Sequence, residues 1–286
     1  MTSAYRGAVL ITGASTGIGE ATALHLDARG FEVFAGVRSE EDARRLSEQA
    51  SGALRPVFLD VTEEGSIEEA LEIVREALGE RHGGLAGLVN NAGIVVAGPL
   101  EMLPPEAVRR QLEVNVIGLH AVTRAFLPLL REGCREGPGR IVNVSSANGR
   151  VATRWTGAYA ASKFAVEALS DALRMELRPW KIPVSVIQPG VIDTPVWKRS
   201  FDRATRILGE VDEDRRRLYE QTLERLERRE GRTPPHAVPP VRVAETIERA
   251  LTARRPKTRY LVAREAWFAA LVAHLPDRLR DRILSS

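Results

Sequence analysis

A single cysteine, Cys134, lies in a loop-like stretch at 131–139 of the 286 residues. One thiol cannot close an intrachain disulfide, and nothing points to an oxidising compartment. The five histidines (His25, His82, His120, His236, His274) are scattered without ligand spacing, so packing or surface roles are expected and no metal is. No apolar run reaches the length of a membrane span. The polar segment before the first strand leaves no room for a cleavable signal, and the expectation is a cytoplasmic protein. Net charge is only +3, with arginines spread among glutamates and aspartates. A basic stripe with aromatic stacking groups is missing, so nucleic acid is not an expected partner. Internal repeats and low-complexity blocks are absent too.

What the chain does have is alternation. Short apolar runs at 8–11, 31–37, 54–60, 85–90, 140–145 and 184–188 read as strands, separated by helix-like segments. This pattern argues for an α/β protein with a doubly wound parallel sheet between two helix layers. A chain of this length could form one such domain or two smaller ones. Such sheets bind ligands at the carboxyl ends of their strands. Arg38, Asp60, Asn90, Ser146 and Pro189 all fall at expected strand ends.

After the first strand come Gly13, Gly17 and Gly19, then helical composition at 20–29. Glycines at a strand-to-helix turn let a pyrophosphate approach the main chain. The helix N-terminus beyond offers free N–H groups and a positive dipole end. The spacing G-x-x-x-G-x-G differs from the commoner G-x-G-x-x-G, and taken alone it also suits a Gly-rich turn of another α/β protein. The second strand ends at Arg38 and Ser39, with no carboxylate between Glu32 and Glu40. An acidic residue there would bind the ribose 2′-OH of NAD, whereas an arginine accommodates the 2′-phosphate of NADP. The reading is NADP(H) in preference to NAD(H), with a solvated loop arginine as the bland alternative.

Farther on, 156–180 reads as one long helix, so Tyr159 and Lys163, at i and i+4, share a face. A tyrosine with a pKa of about 10 is a poor base at neutral pH. A nearby ammonium favours the phenolate, which moves the group toward useful acid–base strength. Such a pair is common on solvated helices, and its surroundings decide its meaning.

Those surroundings are the segment 12–19, Asp60-Val61, Asn90-Asn91-Ala92-Gly93, Asn115, Ser146, Tyr159-x-x-x-Lys163, and Pro189-Gly190 with Thr194. In this order they resemble the short-chain dehydrogenases/reductases over residues 5 to 195. The resemblance implies a Rossmann fold and hydride exchange between a nicotinamide and an alcohol or ketone. It implies that Tyr159 is the general acid/base, that Ser146 hydrogen-bonds the reacting oxygen and that Asn115 steadies a proton-relay water. Lys163 would lower the Tyr159 pKa and hold the nicotinamide ribose. Cofactor contacts are implied at Gly13, Ser15, Thr16, Gly17, Ile18 and Gly19, and at Asp60 and Val61 by the adenine. Others are Asn90, Ala92 and Gly93 near the adenosine ribose, and Pro189, Gly190, Ile192 and Thr194 toward the nicotinamide. Ser145 and Ser146 are adjacent, and neighbouring side chains at a strand end point to opposite faces. Ser146 stands 13 residues before Tyr159 and three before Gly149, as in the family, and Ser145 misses each by one.

Within a single domain, residues 1–194 are expected to form the cofactor-binding and catalytic core. Residues 195–240 would be a substrate lid, with charged helical sequence at 210–229, and 241–286 a C-terminal extension with a last strand at 259–262. Pocket candidates are Val95, Val96, Asn148, Trp155, Val191 and Trp197, each with core packing as its alternative. An apolar pocket suits a bulky lipophilic alcohol or ketone of steroid, retinoid or long-chain type. Pro276 should break the apolar stripe at 265–284, whose expected partner is its own domain or a second subunit, and less so a membrane surface. The resemblance implies a homodimer or homotetramer. A catalytically silent nucleotide sensor or scaffold is the alternative, disfavoured by the intact Ser146, Tyr159, Lys163 and Asn115.

Overall fold

Ala8, Val9, Leu10 and Ile11 are fully buried, as a continuous apolar run in the middle of a covered sheet requires. They form β1 (Ala8–Ile11). Around it, in the computed structural model, lie β2 (Glu32–Val37), β3 (Leu54–Phe58), β4 (Gly87–Asn90), β5 (Arg140–Val144), β6 (Val184–Pro189) and β7 (Arg259–Val262). The structure describes residues 6–133, 137–220, 224 and 233–285; Cys134 and most of the charged segment at 210–229 beyond residue 220 lie outside them. All pairings are parallel, in the order β3-β2-β1-β4-β5-β6-β7. The chain order reverses between β1 and β4, which opens a crevice at their carboxyl ends.

Alternation along each strand feeds both faces of the sheet. Leu10, Phe34, Leu88 and Ile141 turn to one side and bury against α3 (Glu64–His82), α5 (Gly118–Glu132) and the end of α6 (Gly157–Glu176). Val9, Ile11, Val33, Val89 and Val142 turn to the other, against α1 (Gly17–Ala28), α2 (Glu40–Gln49) and α9 (Val241–Thr252). Phe34 and Phe126 are completely buried, and removing each from water contributes roughly 1.5–3 kcal/mol. This is the expected doubly wound sheet, with strand edges shifted by no more than two residues and the first helix starting at Gly17, three residues before the expected 20. The long helix at 156–180 is the largest adjustment: α6 stops at Glu176, and a single 3₁₀ turn, Arg178–Trp180, follows.

Between α4 (Pro105–Leu112) and α5, one π-helical turn, Glu113–Ile117, rotates Asn115 into the interior. Such insertions are frequent at functional sites. After β6 come α7 (Val196–Gly209) and the short α8 (Glu213–Leu218). Beyond β7, α10 (Arg264–Val272) and α11 (Asp277–Ser285) are separated at Pro276, where a break was expected. Their apolar stripe is divided. Ala269, Val272, Leu275 and Ile283 pack on Val151, while Trp267 (66% exposed) and Leu271 (71% exposed) face outward.

Candidate active site

The glycine turn is shaped by contacts that leave no room for side chains. Gly13 has φ +66°, and a Cβ there would stand 2.8 Å from Ala92 Cα. At Gly19 a Cβ would meet the Gly13 carbonyl oxygen at 2.1 Å. The turn is tied to β4 by two residues of the motifs whose side chains were given no role in the sequence reading. Thr12 Oγ1 accepts from the Asn91 and Ala92 N–H groups, each at 3.0 Å. The Asn91 amide donates back to the Thr12 and Gly13 carbonyls, also at 3.0 Å. Thr16 sits at the N-cap of α1 without capping it, so the first-turn N–H groups, including those of Gly17, Ile18 and Gly19, suit an anion. Thr194 lies over Gly17, whose added Cβ would stand 3.1 Å from it. A cradle that any Cβ would fill, at an uncapped helix N-terminus, fits the pyrophosphate of a dinucleotide.

At the end of β2, Arg38 is exposed and lies 3.7 Å from Asp60 Oδ2. Burial alone would raise the Asp60 pKa. Hydrogen bonds from the Thr62 N–H and hydroxyl and the charges of Arg38 and Arg110 bring it below the ordinary carboxylate value. Beside them Ser39 caps α2 through Asp42, and Arg45 reaches the Ser15 carbonyl and Glu20. Arg45 had not been singled out, because only the fold brings α2 over the glycine turn.

Asn90 departs from expectation. Its side chain turns into the sheet, with Nδ2 donating to Thr123 Oγ1 and Asn143 Oδ1, both at 2.9 Å. Period-two alternation puts it on the Leu88 face, so its amide cannot reach a ribose at the strand end. Val61 likewise packs in the core against Gly118, leaving only its backbone for a ligand.

At the end of β5, Ser146 and Tyr159 meet. The Ser146 hydroxyl lies near enough to Tyr159 to hold its pKa down, and Ser146 Oγ accepts from the Asn148 N–H at 3.1 Å. Ser145 points elsewhere, its hydroxyl buried beside Gly149. Lys163 Nζ donates to the Val144 carbonyl at 2.8 Å and lies 5.8 Å from the Tyr159 ring centroid. Burial pushes the Tyr159 pKa up, and only the Ser146 hydrogen bond offsets it. The Lys163 ammonium, expected to lower that pKa, donates its hydrogen bond to the Val144 carbonyl. Burial also depresses Lys163, from 10.5 to about 8, against the pull of Glu167. Glu167, one turn along α6, accepts from Gln188 at 2.7 Å and Arg259 at 2.9 Å, and so ties this helix to β6 and β7.

Asn115 spends its side chain on structure. Oδ1 accepts from the Ile94 N–H at 2.8 Å, and Nδ2 donates to the Ile94 carbonyl and Ser162 Oγ, both at 3.1 Å. Gln111, one turn earlier and completely buried, binds the Val96 N–H at 2.7 Å and the Ile94 carbonyl at 2.8 Å. Two amides at i and i+4 thus fix the strand-like segment that borders the cleft.

A family model described as short chain dehydrogenase matches residues 7–205, which span every feature above. The chain belongs to the short chain dehydrogenase family. It is an oxidoreductase of that family, with a nicotinamide-cofactor fold. It is 38% identical over 284 residues to 17-beta-hydroxysteroid dehydrogenase type 6 of Bos taurus, covering 97% of this chain and 87% of that one. To retinol dehydrogenase 5 of Mus musculus it is 35% identical over 289 residues, again covering 97% and 87%. A crystal structure of a short chain dehydrogenase from Burkholderia cenocepacia J2315 in complex with NADP superposes with TM-score 0.75. That match is 26% identical and covers 99% of each chain.

The pocket candidates divide in this short chain dehydrogenase. Val95, Trp155, Val191 and Trp197 are half-buried, while Val96 is buried among Leu103 and Ala158 and belongs to the core. Trp155 has φ +63°, an outlier for a bulky residue. Trp197 Nε1 donates to the Ile192 carbonyl at 2.7 Å, and the Asn148 amide braces Thr153 and Thr156. The turn after β6 is also held from the C-terminal extension: Glu265 Oε2 accepts from the Val191 N–H at 3.3 Å. Gly190 N–H donates to Val262 at 2.8 Å and Ile192 bridges to Val238, which together carry Pro189 to Thr194 past the cleft.

Proposed function

We propose that this protein transfers a hydride between NADP(H) and a secondary alcohol or ketone, with Tyr159 as general acid/base. The observation that carries this reading is the Ser146–Tyr159 hydroxyl pair at the end of β5, beside a glycine turn with no space for side chains. A nicotinamide bound in the cleft supplies or accepts the hydride. Tyr159 and Ser146 both donate to the reacting oxygen, where preorganised donors act on developing charge. Tyr159 gives up its proton to that oxygen in reduction and takes one back in oxidation.

The raised pKa keeps the phenol protonated at neutral pH, which suits donation to a ketone. Oxidation is therefore expected to speed up as pH rises toward the Tyr159 pKa, while reduction does not. Lys163 holds the nicotinamide ribose, and its ammonium form persists below about pH 8. Arg38 supports NADP over NAD, since a guanidinium suits the 2′-phosphate. Half-buried Val95, Trp155, Val191 and Trp197, together with the similarity to retinol and hydroxysteroid dehydrogenases, support a bulky lipophilic substrate. Residues 195–240 serve as its lid. Exposed Ile117, Phe164, Leu169 and Met175 on and beside α5 and α6 support self-association, which sedimentation would read.

The test is a thermal shift with NADPH, NADH, NADP and NAD, followed by turnover on a panel of steroid, retinoid, long-chain and short hydroxy-acid substrates. A ligand at about 100 times its dissociation constant adds about 2.7 kcal/mol, visible as a higher midpoint. Larger shifts with the phosphorylated pair and turnover of a lipophilic member are the expected results. Equal shifts would sink the role of Arg38. Binding without turnover of any member would favour a nucleotide sensor, and no shift at all would overturn the dinucleotide site.

A further inference from the structure

Helix α7 carries Arg199, Arg203 and Arg206 at i, i+4 and i+7, a spacing that places them on one face. The opposite stripe, Ala204 and Leu208, buries against Met102. The arginine face looks across the cleft. Arg199 Nη1 donates to Thr16 Oγ1 at 3.1 Å, on the glycine turn itself. Arg203 Nη1 donates to the Val95 carbonyl at 2.9 Å. The charges of Arg110 on α4 and of Arg38, just beyond β2, also act on Arg203. Burial first, then the charges of Arg110, Arg206, Arg199 and Arg38, depress the Arg203 pKa, so the five guanidinium groups share one field.

Among the described residues, only Arg38 of these five forms an ion pair, the 3.7 Å contact with Asp60. Arg110 shares the charge of Asp60 with Arg38, which leaves Arg199, Arg203 and Arg206 as neighbouring cations that repel one another, and a bound polyanion would relieve that cost. The candidate anions are the phosphates of the cofactor or an acid group on the substrate. Contact with Thr16, at the uncapped N-terminus of α1, favours the cofactor.

We propose that Arg199 and Arg203 form a clamp on the dinucleotide's phosphates, so that α7 closes on the cofactor before any substrate arrives. Arg199 takes the pyrophosphate beside Thr16, and Arg203 bridges from there toward the field of Arg38. This rests on the dinucleotide reading above. It adds that lid closure is driven by charge on the cofactor and not by the lipophilic substrate.

The experiment is direct titration of full-length protein with NADPH and NADH, without substrate, at low and high salt. Wild type is compared with R199Q, R203Q, the double variant and R38Q. Loss of a charge-assisted hydrogen bond is expected to weaken NADPH binding by about tenfold or more for R199Q. NADH should weaken equally with R199Q, since both cofactors carry the pyrophosphate, whereas R38Q should weaken NADPH alone. The salt dependence of wild type should be steeper than that of the double variant. Unliganded melting points should be unchanged or higher in the variants, because repulsion is relieved, and R203K should restore part of the affinity lost in R203Q. An unchanged NADPH affinity in the double variant would overturn the clamp while leaving the dinucleotide site standing. So would a defect seen only in the KM of acidic substrates, which would assign the arginines to substrate. Failure of wild type to bind either cofactor would overturn the dinucleotide reading first, and the clamp with it.

Discussion

The two ends of the cleft treat charge in opposite ways. Around Tyr159, Lys163 and Glu167 are withdrawn from water and held by single well-directed bonds to Val144, Gln188 and Arg259. Around the glycine turn, Arg38, Arg110, Arg199 and Arg206 stay exposed, with Arg203 half-buried among them. Burial tunes proton affinity at the first end, raising the Tyr159 pKa and lowering that of Lys163, since it disfavours the charged form. Exposure at the second keeps several cations ready for a mobile anion. Chemistry that moves a proton uses groups withdrawn from water, and capture of phosphate uses cations that a mobile anion can reach.

Ser146→Ala breaks the catalytic end most sharply short of removing the tyrosine. One preorganised donor is lost, and kcat should fall by about 10²–10³-fold. NADPH affinity should not change, because Ser146 lies away from the glycine turn; parallel loss of both would show that the two ends are not separate.

Lys163→Met tests the cost of withdrawing charge from water. The wild-type lysine falls from 10.5 to about 8 on folding, which at about 1.36 kcal/mol per pH unit is a penalty on the order of 3 kcal/mol. In that window the unfolded chain binds more protons, so wild-type stability should rise with pH between about 8 and 10.5 and be lowest below 8. The variant should lack that rise. At pH 7 it should be the more stable protein by about 1 kcal/mol, once the lost bond to Val144 is counted, while turning over poorly. Denaturant melts across pH would read this directly, and a wild-type curve flat from pH 8 to 10.5 would contradict it.

Asp60→Asn sharpens the other end with the smallest effect. An exposed ion pair is worth about 0–1 kcal/mol, so freeing Arg38 should tighten NADPH binding by no more than about fivefold. Any contact of Asp60 with the adenine is common to both cofactors, so the effect is read as a rise in NADPH affinity relative to NADH. A loss of NADPH affinity would mean that Asp60 orients Arg38 instead of competing for it.

The difference between the ends also explains what could be read from the chain. Gly13, Gly17 and Gly19 lie within one turn, and Tyr159 and Lys163 within one helical repeat, so local spacing exposed them. The sheet was legible for the same reason, because each strand is a short apolar run bounded by helical sequence. Strand alternation allowed only one of the two serines to face Tyr159, the resemblance to the family chose Ser146 by its spacing to Tyr159 and Gly149, and the structure sets Ser146 beside Tyr159. Contacts that join distant segments left no such trace. Arg203 reaches Val95 across 108 positions, and Glu265 reaches Val191 across 74. The Asn90 side chain turns into the sheet for a related reason: a motif names the residue, while packing decides where its side chain points. One signal was present and unused. The i, i+4, i+7 arginines of α7 can be counted in the sequence, but the cleft they face cannot.

The most direct test of the central claim is single-turnover reduction of a lipophilic ketone by the NADPH-loaded Tyr159→Phe variant, with the NADPH dissociation constant measured on the same sample. The phenol is the proton donor in this account, so the reduction rate should fall by at least about 10²–10⁴-fold, with the dissociation constant within about twofold of wild type. A variant that reduces the ketone at the wild-type rate would remove Tyr159 from the chemistry and the mechanism with it.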